Sequence, residues 1–451
     1  MSIVILAAGQ GTRMRSKLPK VLQPLAGKPL LEHVIATAES LHPKKISVVY
    51  GHGGEAVQEH FEGRGAQWVL QEPQLGTGHA VQQALPYLED DEVAVILYGD
   101  VPLVKPQTIQ TLADAALEGP AILTVIESDP TGYGRIVRDS SGAVSAIVEH
   151  KEATQEQLAI TEVNTGLLAC PVKQIRPWLE TLRSDNAQGE FYLTDVVASA
   201  VAGGVPVAAV TGDSATEVMG INDKVQLSLA ERAYQQRAVE ALMTSGVTVI
   251  DPARVDIRGS LECGSDVTID INAVFIGDVT LGDNVRVGPN CVIENSRVEA
   301  NTRIHANCVL EDAVVGMNCN IGPFGRLRPG AEMKEGGRIG NFVEIKNTTL
   351  GVGSKANHLT YLGDATIGNN VNVGCGSITC NYDGANKHET IIGDNAFIGS
   401  GVEMVAPVEI GAGATIGAGS TIGKNAPKDT LTLQRSKQVT IEGWNRPRKK
   451  E

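Results

Sequence analysis

From about residue 276 to the C-terminus an aliphatic residue recurs every six positions, and this rhythm excludes an ordinary globule for the second half of the chain. The leading positions run Leu281, Val287, Ile293, Val298, Ile304, Leu310, Val315, Ile321, Leu327, Met333, Ile339 and Ile345. They continue through Leu350, Ala356, Leu362, Ile367, Val373, Ile392, Ile398, Met404, Ile410, Ile416 and Ile422. Short strands at that spacing stack, whereas helices cannot. Glycine follows in Ile367-Gly368, Ile410-Gly411 and Ile416-Gly417, as tight corners require. The step shrinks to five at Ile276 to Leu281, Ile293 to Val298, Leu310 to Val315, Ile345 to Leu350 and Leu362 to Ile367. Three faces then make one coil of about 17 or 18 residues, the triangular prism of a parallel β-helix.

A chain of 451 residues exceeds one core, and about 150 residues per domain suggests two or three units; the low aromatic content of 4% and the 50 glycines suit a division into two, one of them a solenoid. The formal charge of −14 argues against nucleic-acid binding, which needs a basic face. Lys424, Lys428, Arg435, Lys437, Arg446, Arg448, Lys449 and Lys450 collect near the end, as a solvated tail or as contacts to an anionic cofactor. No stretch approaches the roughly 18 apolar residues of a membrane span. Residues 1–9 lack the charged start and apolar length of a signal peptide, so a cytoplasmic protein is expected. The seven cysteines, Cys170, Cys263, Cys291, Cys308, Cys319, Cys375 and Cys380, are irregularly placed and read as free thiols.

Before the repeats, strand-like runs at 3–6, 46–50, 68–70, 93–98, 121–126 and 205–210 alternate with helical patterns at 30–41, 78–88 and 106–117. That alternation predicts a parallel sheet covered by helices on both faces, with a hairpin at 135–137 and 143–148. Residues 224–245 read as a helix, capped by Asn222 or Asp223 and ended by Gly246. The expected division is 1–222, a helical linker at 223–250, and a solenoid at 251–451 interrupted at 328–337 and 379–390.

Residues 6–14 read Leu-Ala-Ala-Gly-Gln-Gly-Thr-Arg-Met, a glycine-rich turn after an apolar strand. Backbone amides around Leu6, Ala7, Ala8 and Gly9 can face a triphosphate, while Arg13 and Lys20 neutralise charge moving onto a leaving pyrophosphate. The turn is neither a dinucleotide fingerprint nor a Walker loop. Tyr98-Gly99-Asp100 closes another strand and puts Asp100 where ligands of such sheets collect, able to hold Mg²⁺. Asn222 could complete the metal's oxygen ligands or serve as a helix cap.

These motifs resemble the sugar-nucleotidyltransferase family. Joined to a hexapeptide half, they resemble the bacterial bifunctional N-acetylglucosamine-1-phosphate uridylyltransferase and glucosamine-1-phosphate N-acetyltransferase family. The likeness extends to 71–77 (Gln-Glu-Pro-Gln-Leu-Gly-Thr), Gly132-Tyr133-Gly134, Glu149-His150-Lys151, Asn164-Thr165-Gly166 and Gly220-Ile221-Asn222. It implies a Rossmann-like α/β nucleotidyltransferase domain followed by a left-handed parallel β-helix. Within the first, it implies that Gln71, Gly76 and Thr77 read uracil, that Gly134, Glu149, Asn164 and Thr165 hold the amino sugar, and that Asp100 and Asn222 bind Mg²⁺. UTP and acetyl-CoA are the implied co-substrates, and the product UDP-N-acetylglucosamine feeds peptidoglycan and lipopolysaccharide precursors.

The densest polar cluster of the repeats comprises Arg328, Lys346, His358, Tyr361, Asn372, Asn381, Tyr382 and Lys387, which must face outwards because inward positions of a narrow coil are apolar. Taken singly, Asn372 and Lys387 read as solvated wall. By resemblance, Arg328 and Lys346 grip the phosphate of glucosamine-1-phosphate, Tyr361 and Asn372 orient its sugar, and His358 is the base. The reference pKa of imidazole, near 6.5, suits removal of a proton from the attacking amine. Acetyl-CoA contacts carry over to Cys375, Asn381, Tyr382, Ser400, Ala418 and Arg435; Cys375 stands where the family commonly has alanine. The resemblance also implies a homotrimer with sites between prisms, and walls carrying Val343, Ile378 and Phe397 offer apolar surface to cover. A purely structural solenoid, as in some glucose-1-phosphate adenylyltransferases, is disfavoured by His358 and the Asn381-Tyr382 insertion. Zinc is disfavoured by the uneven spacing of His305, His358 and His388.

Overall fold

The computed structural model describes all residues except 10, 52–53, 187–188 and 450–451, so Gln10 of the glycine-rich turn and Lys450 of the tail lie outside the described residues. The chain divides into two compact units, 1–234 and 235–451. The division falls inside the helix Lys224–Thr244, so the expected separate linker at 223–250 is not a unit of its own. The reason is packing. Leu227, Ala230, Ala233 and Tyr234 join Met14, Leu25, Leu30, Leu103 and Ile221 in the first unit, whereas Val239, Ala238 and Leu242 join the core of the second. Gln235 belongs to the second unit through its own amide, which exchanges bonds of 2.8 and 2.7 Å with the backbone of Ile257.

In the first unit, β1 (Ser2–Leu6), β2 (Ile46–Gly51), β3 (Gln67–Gln71), β4 (Val93–Tyr98), β5 (Ala121–Ile126), β6 (Arg135–Arg138), β7 (Val144–Val148), β8 (Glu162–Pro171) and β9 (Ala208–Thr211) form one sheet. The order is β9-β5-β8-β4-β1-β2-β3, with the β6–β7 hairpin attached to β8. β8 runs antiparallel between β4 and β5, so the sheet is mixed rather than parallel. Its register shifts between Asn164 and Leu168, and Gly166 takes a φ of 90°. This bulge broke the apolar run that would have betrayed a strand. Alternation along β1 sends Ile3 and Ile5 towards the helices Leu30–Glu39 and Pro106–Ala115, and Val4 and Leu6 towards Thr77–Ala84, Val172–Glu180 and Asp195–Ala202.

The second unit is a stack of parallel strands that begins at Thr248–Val249. Partners in successive coils share a register, as Leu327 with Ile345 and Ile345 with Leu362, so every leading position from Leu281 to Ile422 is buried in one column or another. Phe275, not Ile276, is the inward residue six before Leu281, and the first step is therefore six. Residues 328–337 are no interruption: Val315 pairs with Met333, a regular coil of 18. The second interruption is real, because Ile367 meets Ile392.

Corners take the left-handed conformation that asparagine and glycine tolerate. Asn272, Asn290 and Asn307 (φ 58–61°) stack through side-chain amide bonds of 2.9 and 3.2 Å. Phe324 and Phe342 occupy the next rungs with rings stacked 5.0 Å apart, and both are exposed. Because Phe342 turns the corner outwards, Val343 points into the core, which corrects its expected place on an outer wall. Ile378 and Phe397 do lie exposed.

Candidate active sites

Two cavities adjoin at the carboxyl ends of β1, β3 and β4. The first is lined by Leu6, Ala7, Ala8, Gly9, Lys20, Gln71, Gln74, Gly76, Thr77, Tyr98, Asp100, Glu190 and Asn222. The second is lined by Gly134, Glu149, Asn164 and Thr165 with Tyr133, Glu152 and Tyr192, and it shares Thr77, Tyr98 and Glu190 with the first. Gly99 lines neither cavity; its tight packing against Leu31, Ala7 and Val21 lets the chain turn there.

The glycine-rich turn leaves the sheet after the Ala7 amide bonds Val49 at 2.8 Å. At Gly11, φ is 60° and a Cβ would come within 2.6 Å of the Lys20 side chain, so glycine alone lets Lys20 lie across the turn. The Lys20 ammonium binds Asp100 Oδ2 and also reaches Asn222 Oδ1 at 3.2 Å, while Arg13 donates to the same Oδ1 at 3.1 Å. The backbone bond from Ile221 N to Asp100 O, 2.9 Å, brings Asn222 to Asp100. Asp223 is the helix cap, accepting from the amides of Val225 and Gln226 at 2.9 Å each. That leaves the Asn222 side chain to the site, oriented by its donation to Gly220 O at 3.2 Å. Two oxygens thus converge on one cationic group, a donor set that fits a hard divalent ion sharing its shell with phosphate and water.

Gln71 donates to Gly76 O at 2.9 Å and lies 3.2 Å from Nδ1 of His79, whose pKa burial pushes down. Burial also raises the pKa of Glu149, helped by Glu152 and Asp195, and that of the Tyr98 hydroxyl, which bonds Thr77. Gln74, His79 and Glu190 were not singled out as site residues. Gln74 sat inside the quoted motif and His79 just beyond it, but nothing adjacent to Glu190 marked it.

In the second unit the polar residues separate onto two corners. At one, Arg328 pairs with Glu344 at 2.9 Å, and the ammonium of Lys387 lies beside that of Lys346, pushing the Lys346 amine below its ordinary range. The Tyr361 hydroxyl lies 3.5 Å from Asn381, whose amide also bonds Asp364. Three cations, Arg328, Lys346 and Lys387, gather here beside the carboxylates of Glu344 and Asp364, with Glu311 also acting on Arg328. At the other corner His358 is exposed, and below it Cys375, Ser400 and Ala418 form a column joined by bonds from Gly401 N to Cys375 O and from Gly419 N to Ser400 O, both 2.8 Å. Arg435 reaches this column, since a Cβ on Gly417 would stand 2.9 Å from its guanidinium. Asn372 stands on the preceding wall, between Lys355 and Phe397. Burial pushes up the Cys380 thiol, and Cys375 is a free, exposed thiol.

Residues 3–192 match the MobA-like NTP transferase domain, 257–333 the GMPPB C-terminal domain, and 389–424 the bacterial transferase hexapeptide, six repeats. The bifunctional protein GlmU of Aromatoleum aromaticum is 55% identical over 452 residues, covering 100% of this chain and 99% of its own. Those of Azoarcus sp. and Bordetella parapertussis are also 55% identical, over 99% and 100% of this chain and of their own lengths. The chain belongs to the bifunctional GlmU family. As a GlmU-family member it is a transferase of two activities, uridylyl transfer in the nucleotidyltransferase unit and acetyl transfer to glucosamine-1-phosphate in the hexapeptide unit, whose parallel coils form a left-handed β-helix. No helix among the described residues is long and apolar enough to cross a membrane.

Proposed function

We propose that the chain first acetylates glucosamine-1-phosphate at the corners of its solenoid and then couples the product to UTP in the paired cavities, giving UDP-N-acetylglucosamine. What carries this reading is the gathering of Arg328, Lys346 and Lys387 at one corner with a free, exposed imidazole, His358, at the next. The three cations suit a phosphate dianion. His358 takes a proton from the substrate's ammonium, the amine attacks the thioester carbonyl of acetyl-CoA, and the CoA thiol leaves. Tyr361 and Asn372 orient the sugar, while Cys375, Asn381, Tyr382, Ser400, Ala418 and Arg435 hold the acyl donor.

In the paired cavities Gln71, Gly76 and Thr77 read the base, and Gly134, Glu149, Asn164 and Thr165 hold N-acetylglucosamine-1-phosphate. Its phosphate oxygen attacks the α-phosphorus of UTP and pyrophosphate departs, with Arg13 and Lys20 screening the charge that moves onto it. Asp100 and Asn222 would hold Mg²⁺, which when bound adds electrostatic screening of the phosphates. Alignment and screening supply most of the rate, since no covalent enzyme intermediate is required. A homotrimer in the cytoplasm fits the exposed Phe324, Phe342, Leu359, Ile378 and Phe397, and fits the placement of Asn372 on a different wall from Tyr361.

The test is a pair of variants assayed for both reactions. His358→Ala should abolish acetyl transfer and leave uridylyl transfer intact, and Asp100→Ala should do the reverse. Comparable loss of both activities in either variant rules out separate sites.

A further inference from the structure

We propose that His388 is a positioning residue for acetyl transfer: through Asp383 it holds the arm of residues 381–388 bent so that Lys387 is delivered beside Lys346. The inference rests on the reading of that corner as the acceptor-phosphate site.

The arm is the one place where the register of the described coils jumps, from Ile367 to Ile392, whereas the coils on either side advance by 17 or 18. Surplus chain of this length on a solenoid has no neighbouring coil to fix it, so its shape depends on bonds it makes to itself. It makes several. Tyr382 and Lys387 form an antiparallel bridge, and the His388 amide bonds Asn381 O at 2.8 Å, which closes the base. At the tip, Asp383 accepts from the backbone of Ala385 and Asn386 at 2.8 and 2.7 Å. The cross-brace between tip and base is the His388 ring, whose Nε2 donates to Asp383 Oδ2 at 2.6 Å. These amides and the ring hold the Asp383 carboxyl well below the usual carboxylate range.

The other side-chain bonds of the arm, from the Tyr382 hydroxyl to Gly384 O at 2.6 Å and from the Ala385 and Asn386 amides to Asp383, stay within residues 382–386, so the His388 ring is the side chain that links the base of the returning strand to the tip. The adjacent Lys387 must also be held against repulsion, because it sits beside Lys346 with Arg328 close by. The carboxylates facing this region include Glu311, Glu344, Asp364, Asp383 and Glu389; Glu344 is paired with Arg328, on which Glu311 also acts, Asp364 is occupied by Asn347 and Asn381, and Glu389 by Thr366. Freed from Asp383, the arm relaxes by moving Lys387 away from its like-charged neighbour, and the phosphate loses a pre-placed cation. The cost falls on substrate capture rather than on chemistry at His358.

The experiment is steady-state acetyl transfer by the full chain, varying glucosamine-1-phosphate at saturating acetyl-CoA. His388→Ala should raise KM about fivefold, the size of one ordinary net hydrogen bond, with kcat within about twofold. His388→Gln, which keeps an N–H near the same place, should recover most of the loss. Uridylyl transfer measured in the same samples should be unchanged, since the arm is a surface feature of the other unit. An unchanged KM in His388→Ala, or a His388→Gln no better than alanine, overturns the positioning role. Lys346→Ala separates the two layers: if it raises KM while His388→Ala does not, only the brace fails. If Lys346→Ala leaves KM unchanged, the phosphate reading fails and the proposal falls with it.

Discussion

Replacing Asn222 and Asp223 one at a time separates two roles that adjacent residues divide between them. Asp223→Ala removes an acceptor shared by two backbone amides at 2.9 Å in the first turn of Lys224–Thr244. An N-cap of this kind contributes about 1–2 kcal/mol. At about 2–4 °C per kcal/mol for a domain of this size, the midpoint of the N-terminal unit should fall by roughly 2–8 °C. Asp223→Asn, whose amide oxygen also caps, should lose only a few tenths of a kcal/mol, roughly. Asn222→Ala leaves the cap in place and should melt within about 0.5 kcal/mol of wild type. It removes instead the oxygen that both Lys20 and Arg13 contact, and uridylyl turnover should drop by about 10- to 100-fold. Scanning calorimetry gives the first quantity and pyrophosphate release the second. An Asn222→Ala variant that melts as low as Asp223→Ala, or that turns over normally, would refute the division of roles.

Two further outcomes follow from burial. The pKa of Glu149 is raised, so its carboxylate is protonated at a higher pH than an ordinary glutamate as the solution is acidified; KM for N-acetylglucosamine-1-phosphate should climb along that limb, and Glu149→Gln should flatten it. A variant that keeps the wild-type acid limb assigns the titration elsewhere. Ile345 is fully buried between Leu327 and Leu362, so Ile345→Ala should cost about 2–5 kcal/mol. On warming, acetyl transfer should fail before uridylyl transfer, and an unaltered melting curve for the second unit would contradict this.

The prism was legible because a single geometric rule, one inward residue per short wall, repeats often enough to survive local noise. Where it misled, the position of the corner was what the rule does not give. Phe275 rather than Ile276 takes the inward place, and Val343, expected on an outer wall, points inward because Phe342 occupies the corner. The antiparallel strand Glu162–Pro171 escaped notice because its bulge at Asn164–Gly166 carries site residues in place of an apolar run. Lys387, in the polar cluster but read singly as solvated wall, was undecided for a different reason. Its neighbour Lys346 is distant in sequence, and Lys387 meets it through an arm that leaves the coil register. Likewise the choice between Asn222 and Asp223 as cap depends on which side chain can turn towards Lys20, a matter of direction rather than composition.

Tyr98, Thr77 and Glu190 form a party wall between the two cavities, which on the proposed function are the nucleotide chamber and the sugar chamber. Any change to one face of that wall is felt on the other. Enlarging the sugar chamber at Tyr98 would also loosen the grip on the nucleotide. Altered sugar preference should therefore be sought first at Glu149, Asn164 or Tyr192, which border one chamber only.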